Sequence, residues 1–343
     1  MTPPEKKEKV AVFGGGTWGA TLAHHLANKG HQVSIWEYNS NVAKTLEANR
    51  TLSTLPDFKL HPSVKVSDQI KNAAEGMEII LSVTPSHTVR ETFRAAVQNK
   101  ALKKGTLVIS ASKGIENKTC APMSQVIREM FPEAGDIVIL SGPSHAEEVS
   151  QKQPVALVSA CTSNESAVRV QKLFSSDTFR IYTGNDPVGV ELGGSLKNVY
   201  AVACGIIDGL KLGDNTKAAL MTRGLLEMTR LGAAMGTQTL TFFGLSGLGD
   251  LIVTCGSQHS RNRLVGEKIG GGKTLEQALA EMTMVAEGVN TTRSAYDLAR
   301  LKKVDVPIIN EMYRVLFENK SPQDSIKDLL ARQVGAEMEG IVL

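Results

Sequence analysis

The chain predicts an α/β protein: an N-terminal Rossmann-like doubly wound sheet followed by an all-α C-terminal domain. Three observations carry this. The glycine-rich turn Gly14-Gly15-Gly16-Thr17-Trp18-Gly19 comes straight after the apolar run Val10-Ala11-Val12-Phe13. Short Val/Ile/Leu runs then alternate with helical patterns through the first half, as expected of strands buried on both faces of a parallel sheet. Near residue 185 the texture changes, and apolar residues begin to recur at spacings of three and four.

Val10–Gly14 reads as the first strand, Thr17–Lys29 as a helix stopped by Gly30, and Gln32–Glu37 as the second strand. Glu78–Val83, Thr106–Ser110, Ile137–Ser141 and Val155–Ser159 continue the series. An apolar helix is predicted over roughly Val188–Leu210. From Asn215 to Met235, Met221, Leu225, Met228, Leu231 and Met235 follow a helical period, with Asp214 or Asn215 as the cap and Gly236 as the stop. Glu276–Met282, Thr292–Leu301 and Ile308–Leu316 predict further helices. Asn185-Asp186-Pro187 marks the expected boundary. It gives a dinucleotide-binding domain over 1–186 and a helical substrate-binding and catalytic domain over 187–343, with Val334–Leu343 as a loose tail.

The 343 residues suffice for two domains. Apolar residues at 42% and charged residues at 21% fit a globular chain. The net charge of +3 is dispersed, without the basic face that nucleic-acid binding needs. Cys120, Cys161, Cys204 and Cys255 lie far apart, with no zinc-type spacing, so no metal is expected. The charged N-terminal stretch lacks the apolar core of a signal peptide, and no run reaches the ~20 apolar residues of a membrane helix. The expected location is cytoplasmic.

The glycine turn has the context of a nucleotide-binding fingerprint: a strand before it, a helix after it and an acidic residue about twenty positions on. Gly14 permits the tight turn, Gly16 lets backbone approach a pyrophosphate, and Gly19 allows close helix–strand packing. The pyrophosphate would sit at the N-terminus of the helix opened by Thr17, where free N–H groups and the helix dipole favour anions. Glu37, ending the second strand, would accept from a ribose 2′-OH and repel a 2′-phosphate, favouring NAD over NADP. Lys113 follows a buried strand and precedes Gly114, so it is expected in the crevice at the carboxyl ends of the strands. Ser141-Gly142-Pro143-Ser144-His145-Ala146 ends the next strand in the same way; His145 reads as a loop residue.

Lys197 lies in an otherwise apolar helix. Such a lysine either snorkels or is there for chemistry, since desolvation lowers its pKa toward neutrality and lets it pass a proton to a ketone oxygen. Asp250, in a glycine-rich turn, is the expected partner of its ammonium, with Thr254 one turn further along the same face. Ser260 reads as the N-cap of a helix opened by Arg261 and Asn262, a setting that suits a phosphate or carboxylate. Arg263 reads as the solvated member of the pair, and Glu287 as a loop residue.

With these residues set out, the chain resembles the soluble NAD(P)-dependent glycerol-3-phosphate dehydrogenases of bacterial type. The resemblance runs from Lys9 to about Arg332 and rests on GGGTWG, SASKGIE, SGPSHAEEV, GGSLKNVYA, GLSGLGDLIVTC and SRNR, in that order. It implies interconversion of dihydroxyacetone phosphate and sn-glycerol 3-phosphate, a supply of glycerol 3-phosphate for phospholipid synthesis, and a homodimer. It makes Lys197 the proton donor and acceptor. It places Lys113, Gly142, Ser144, Asp250, Ser260, Arg261 and Asn262 at the substrate, and Thr17, Trp18, Lys113, Ala146, Arg261, Val285 and Glu287 at the cofactor. Many bacterial members carry a basic residue near the end of the second strand and prefer NADPH; here Glu37 and Tyr38 stand there. The tail after Arg332 also departs from the family pattern. Two other readings stay open from the residues: a β-hydroxyacid dehydrogenase, which also uses a lysine on a long helix, and a non-catalytic dinucleotide sensor, which needs the glycine fingerprint but not Lys197, Asp250 and Arg261 together.

Overall fold

A computed structural model describes residues 6–282 and 284–338. These residues divide into two compact units. The first runs to Ser112 and takes in Met123–Leu140 and Ser144–Pro187; the second takes Lys113–Pro122, Ser141–Pro143 and the chain from Val188 onward.

The first unit is built on one eight-stranded sheet. Its strands are β1 (Lys9–Phe13), β2 (Gln32–Trp36), β3 (Lys65–Ser67), β4 (Ile79–Ser82), β5 (Leu107–Ser110), β6 (Ile137–Ser141), β7 (Val155–Ala160) and β8 (Phe179–Gly184). Their order is β3-β2-β1-β4-β5-β6-β7-β8. The pairs β1–β2, β1–β4, β2–β3, β4–β5, β5–β6 and β7–β8 are parallel. The order reverses direction at β1, whose neighbours are β2 and β4, and such a switch point is where doubly wound sheets bind ligands. Val10, Val12, Ile35, Ile79, Leu81, Ile109 and Val138 are fully buried in one core with Leu22 and Leu26 of the Thr17–Asn28 helix.

Two strands lack a continuous apolar run. β3 has only three residues, Lys65-Val66-Ser67. In β8, Phe179 and Ile181 are buried while Arg180 and Tyr182 are exposed. That alternation is the period-two signal of a half-covered edge strand.

The second unit is helical. The Pro187–Gly209 helix is buried along nearly its whole length, from Gly189 to Ile207. Leu196, Val199 and Tyr200 pack there with Met228, Leu231, Leu251, Val265 and Leu298 into a second core. The Asp214–Ala234 helix takes Gly213 as its N-cap rather than Asp214 or Asn215, and Asp214 falls in its first turn, next to the positive end of the helix dipole. The expected Thr292–Leu301 helix begins earlier, as Glu287–Lys302, so Glu287 opens a helix instead of lying in a loop. Asn262 Oδ1 accepts from Gly288 N in its first turn at 2.8 Å. In the tail, Val334 is 92% exposed, yet Arg223 donates to the Glu337 carbonyl at 2.7 Å. The rest of the expected tail, 339–343, lies outside the described residues.

Candidate active site

In the first unit, Gly14 has φ +112°, a conformation that L side chains avoid. A Cβ on Gly19 would lie 1.9 Å from the Gly14 carbonyl oxygen, so only glycine lets the helix start fold back on the strand end. Around Gly16, by contrast, nothing lies within 4 Å of such a Cβ. Gly16 is the N-cap of the Thr17–Asn28 helix and offers no side chain to cap it. A tight turn, an open approach and a glycine at the helix N-cap fit the pyrophosphate of a dinucleotide. Thr17 is buried and its hydroxyl meets Thr54 Oγ1 at 2.8 Å; Trp18 is partly buried against the core.

Glu37 lies immediately beyond β2 and turns back to this loop. Its Oε2 accepts from Gly15 N at 2.9 Å and its Oε1 from Asn39 N at 3.0 Å. The carboxylate thus braces the glycine turn, and its remaining lone pairs leave room for a ribose hydroxyl. Tyr38 projects outward, 84% exposed. Ala146 begins the Ala146–Ser150 helix, which packs on the Thr17–Asn28 helix; Ser144 lies two residues before it. His145, expected in a loop, is the N-cap of that short helix.

The second unit gathers Lys113, Asp250 and Lys197 into one cluster. Asp250 Oδ1 accepts from Lys197 Nζ, and Asp250 Oδ2 accepts from Lys113 Nζ at 2.7 Å. Lys197 Nζ also donates to Thr254 Oγ1 at 2.8 Å, and Lys113 Nζ to the Gly142 carbonyl at 3.0 Å. The side chains of Lys197 and Asp250 are 7% and 1% exposed; that of Lys113 is 20% exposed. Lys197 does not snorkel. Lys113 was expected in the crevice, but its pairing with Asp250 carried no signal in the sequence, because 137 residues separate them.

Burial pushes the Lys197 ammonium from 10.5 down to about 7; Asp250 opposes the shift and Lys113 adds to it. Burial alone would raise the Asp250 carboxyl, but Lys113 and Lys197 together outweigh it and hold the group below its ordinary value. One carboxylate facing two ammonium groups leaves an excess of positive charge when both lysines are protonated. That excess suits an anionic substrate.

Asp250, expected inside a glycine-rich turn, instead opens the Asp250–Gly256 helix after a π-helical turn at Leu245–Gly249. The turn is closed by Gly249 N donating to the Gly244 carbonyl at 3.1 Å. Its glycines permit that winding: a Cβ on Gly247 would meet the Phe242 carbonyl oxygen at 2.1 Å. Single π turns of this kind recur at functional sites. The Asp250–Gly256 helix sets Thr254 one turn from Asp250, on the same face, as expected.

Ser260 caps the Arg261–Gly270 helix, accepting from Arg263 N at 3.2 Å. Asn262 is buried and donates to Asn198, the residue after Lys197, at 2.8 Å. Arg261 is exposed and donates to the Val285 carbonyl at 3.4 Å, so Arg261, Val285 and Glu287 share one neighbourhood. Val285 had no physical signal in the sequence; its part here is played by its backbone. Arg263 is not the solvated residue expected of it. Its side chain is 17% exposed and its Nε binds Asp208 Oδ2 at 2.6 Å, because Asp208 on the lysine-bearing helix faces it.

Two family models match the chain: the NAD-dependent glycerol-3-phosphate dehydrogenase N-terminus over residues 9–167 and its C-terminus over 186–327. A relative from Citrifermentans bemidjiense, named glycerol-3-phosphate dehydrogenase (NAD(P)+), is 48% identical over 333 residues, covering 96% of this chain and 99% of the relative. One of the same name from Thermoanaerobacter sp. is 46% identical, covering 97% and 100%. The crystal structure of glycerol-3-phosphate dehydrogenase from Coxiella burnetii superposes with a TM-score of 0.91 at 34% identity, covering 95% of this chain and 99% of that one. With the fingerprint turn in one unit and the lysine–aspartate–lysine cluster in the other, these matches make the chain a member of the NAD-dependent glycerol-3-phosphate dehydrogenase family.

Proposed function

We infer that the chain interconverts dihydroxyacetone phosphate and sn-glycerol 3-phosphate with NAD(P)(H) as the redox partner, and that Lys197 handles the proton. The observation that supports this most is the buried Lys197 ammonium, held by Asp250 and Thr254 and poised near neutral pH. NADH or NADPH, when bound, supplies the hydride to the ketone carbon. Lys197 Nζ then gives a proton to the ketone oxygen, and in the reverse direction takes one from the alcohol. Asp250 keeps that ammonium oriented and compensates its charge in a site with little water. Lys113, whose side chain is less buried than that of Lys197, binds substrate oxygens in this reading. Gly142, Ser144, Ser260, Arg261 and Asn262 complete the proposed substrate set, with the Arg261 guanidinium on the phosphate.

The proposed dinucleotide set is Gly14, Gly16, Thr17, Trp18, Gly19, Glu37, Lys113, Ala146, Arg261, Val285 and Glu287. Glu37 favours NAD(H), since a 2′-phosphate would meet its negative charge. The proposed domains are a dinucleotide-binding one over 1–186 and a helical substrate-binding and catalytic one over 187–343, each residue set drawing on both ranges. The proposal extends to a cytoplasmic homodimer supplying glycerol 3-phosphate for phospholipid synthesis. Among the described residues, no helix is long and apolar enough to cross a membrane.

Oxidation of NADH and of NADPH, each with dihydroxyacetone phosphate, tests substrate and coenzyme together; the expected result is turnover with both and a preference for NADH. Turnover of 3-hydroxyisobutyrate with none of dihydroxyacetone phosphate would replace this reading by the β-hydroxyacid one. Binding of NADH without oxidation by any phosphotriose would favour the sensor.

A further inference from the structure

Gly194 lies three residues, close to one helical turn, before Lys197 in the Pro187–Gly209 helix. A Cβ at 194 would stand 2.4 Å from Ser141 Oγ, 3.5 Å from Ser141 Cβ and 3.8 Å from Lys113 Cδ. The first distance is impossible without movement; the other two are ordinary contacts. The Ser141 hydroxyl therefore fills the space that a side chain at 194 would need. Ser141 is the last residue of β6 and is 3% exposed, and its Oγ has no hydrogen-bond partner among the described residues. Buried hydroxyls are nearly always bonded, so hydrogen bonding does not account for this one. Its close fit against Gly194 does.

The next residue, Gly142, presents the carbonyl that receives Lys113 Nζ at 3.0 Å. The same Nζ binds Asp250 Oδ2, and Asp250 holds Lys197. The Ser141–Gly194 contact thus joins the helix that bears one lysine to the segment that anchors the other.

Building on the reading of Lys197 and Lys113 as the reacting end, we propose that Ser141 and Gly194 are a matched pair of positioning residues. Their contact sets how closely the Ser141–Gly142 segment approaches the lysine-bearing helix, and so places Lys113 against Asp250 and Lys197. Neither residue touches the reacting atoms in this proposal; both act through Lys113. An added methyl at 194 pushes the segment away and carries off the Gly142 carbonyl. Removing the hydroxyl at 141 makes room for that methyl.

The charged and titratable groups at Lys197 are Asp250 and Lys113, with Cys255 of the adjoining helix nearby. Since Lys113 lowers the Lys197 pKa, displacing Lys113 raises it. The test is a double-mutant cycle of Gly194→Ala, Ser141→Ala and the pair together. Gly194→Ala is expected to lower kcat/KM for dihydroxyacetone phosphate by at least about tenfold, in line with small misplacements in catalytic sites. Its pH limb is expected to move to higher pH, a shift that a merely structural loss of active enzyme would not produce. The double variant is expected to recover most of the loss and return the limb to its original pH. Should Gly194→Ala aggregate, Ser141→Thr crowds the same notch from the other side and is expected to give the same kinetic pattern. A double variant no more active than Gly194→Ala, or a Gly194→Ala (or Ser141→Thr) enzyme with unchanged kinetics, overturns the proposal. Wild-type turnover of dihydroxyacetone phosphate, measured alongside, separates the two readings: its absence refutes the proposed reaction, whereas its presence without rescue refutes only the positioning pair.

Discussion

Asp250 Oδ1 accepts the ammonium of Lys197 across 53 residues of chain, with both side chains almost wholly buried. The pair joins the first residue of one helix to the middle of another. It keeps a charge-bearing nitrogen in an apolar core at a pKa near the pH of the cell, which a lone buried lysine or a solvated one would not do.

If that nitrogen moves the proton, Lys197→Ala reduces turnover by about 10²–10⁴, the range for loss of a general acid. Lys197→Arg is not expected to restore it, because a guanidinium keeps its proton at any working pH. Steady-state rates with dihydroxyacetone phosphate and NADH decide the matter; near-normal turnover by Lys197→Ala means the proton comes from another group.

The pH dependence has a definite sign. Ketone reduction needs Lys197 protonated, so kcat/KM is expected to hold below about 7 and fall above it. Alcohol oxidation needs the neutral amine and is expected to show the mirror image. Asp250 raises the Lys197 pKa, so Asp250→Asn shifts the limb to lower pH in both directions. That substitution also leaves buried Lys197 and part-buried Lys113 without their counter-ion and is expected to cost about 3–5 kcal/mol of stability. Rate profiles from pH 5 to 9, paired with denaturant melts, check both effects; a limb that stays in place in Asp250→Asn removes the carboxylate from the account.

Glu37 carries two loads. It braces Gly15 N at 2.9 Å, and in the proposed reading its charge would repel a 2′-phosphate. Glu37→Arg is expected to improve NADPH use relative to NADH while weakening both, since the brace is lost. Glu37→Gln keeps an oxygen for Gly15 and removes the charge, so it is expected to narrow the coenzyme preference without the general loss. Dissociation constants for both coenzymes in the two variants test this. An unaltered NADH-to-NADPH ratio in both shows that the selector lies elsewhere.

Glu227 is buried beneath the lysine-bearing helix, receiving Ile308 N at 2.6 Å, Ile309 N at 3.2 Å and the Tyr200 hydroxyl at 3.3 Å. Burial raises its carboxyl from 4.5 to about 8, against the pull of those three donors. A raised folded pKa means that the stability it confers is complete below about 4.5 and is lost as pH climbs through about 8. Glu227→Gln, uncharged throughout, is therefore expected to lose stability at pH 5 and to narrow the gap to wild type as pH rises to 8. Each unit of pKa separation corresponds to about 1.4 kcal/mol. Urea melts at several pH values report the slope, and parallel curves for the two proteins count against a neutral buried Glu227.

The sequence by itself determined the interior strands of the sheet and the nucleotide turn. Strands such as Ile79–Ser82 and Leu107–Ser110 are short, continuous and buried, so their composition marks them. Gly14 and Gly19 are required by backbone geometry within a few residues of one another, and local requirements are legible locally. The isolation of Lys197 in an apolar helix was equally plain. Ser260 and Asn262 were legible as a helix start because capping acts over three residues.

Only the tertiary structure decided what those residues face. Lys113 meets Asp250, and Arg263 meets Asp208, because strands and helices distant in sequence pack together, and a charge pattern read along one helix holds no record of that. The π turn that delivers Asp250 depends on Gly247 nesting against Phe242, a contact that composition does not announce. β8 was missed because an edge strand alternates where the interior strands do not. Short-range steric and capping demands are written into neighbouring residues, whereas long-range electrostatic partners are chosen by packing.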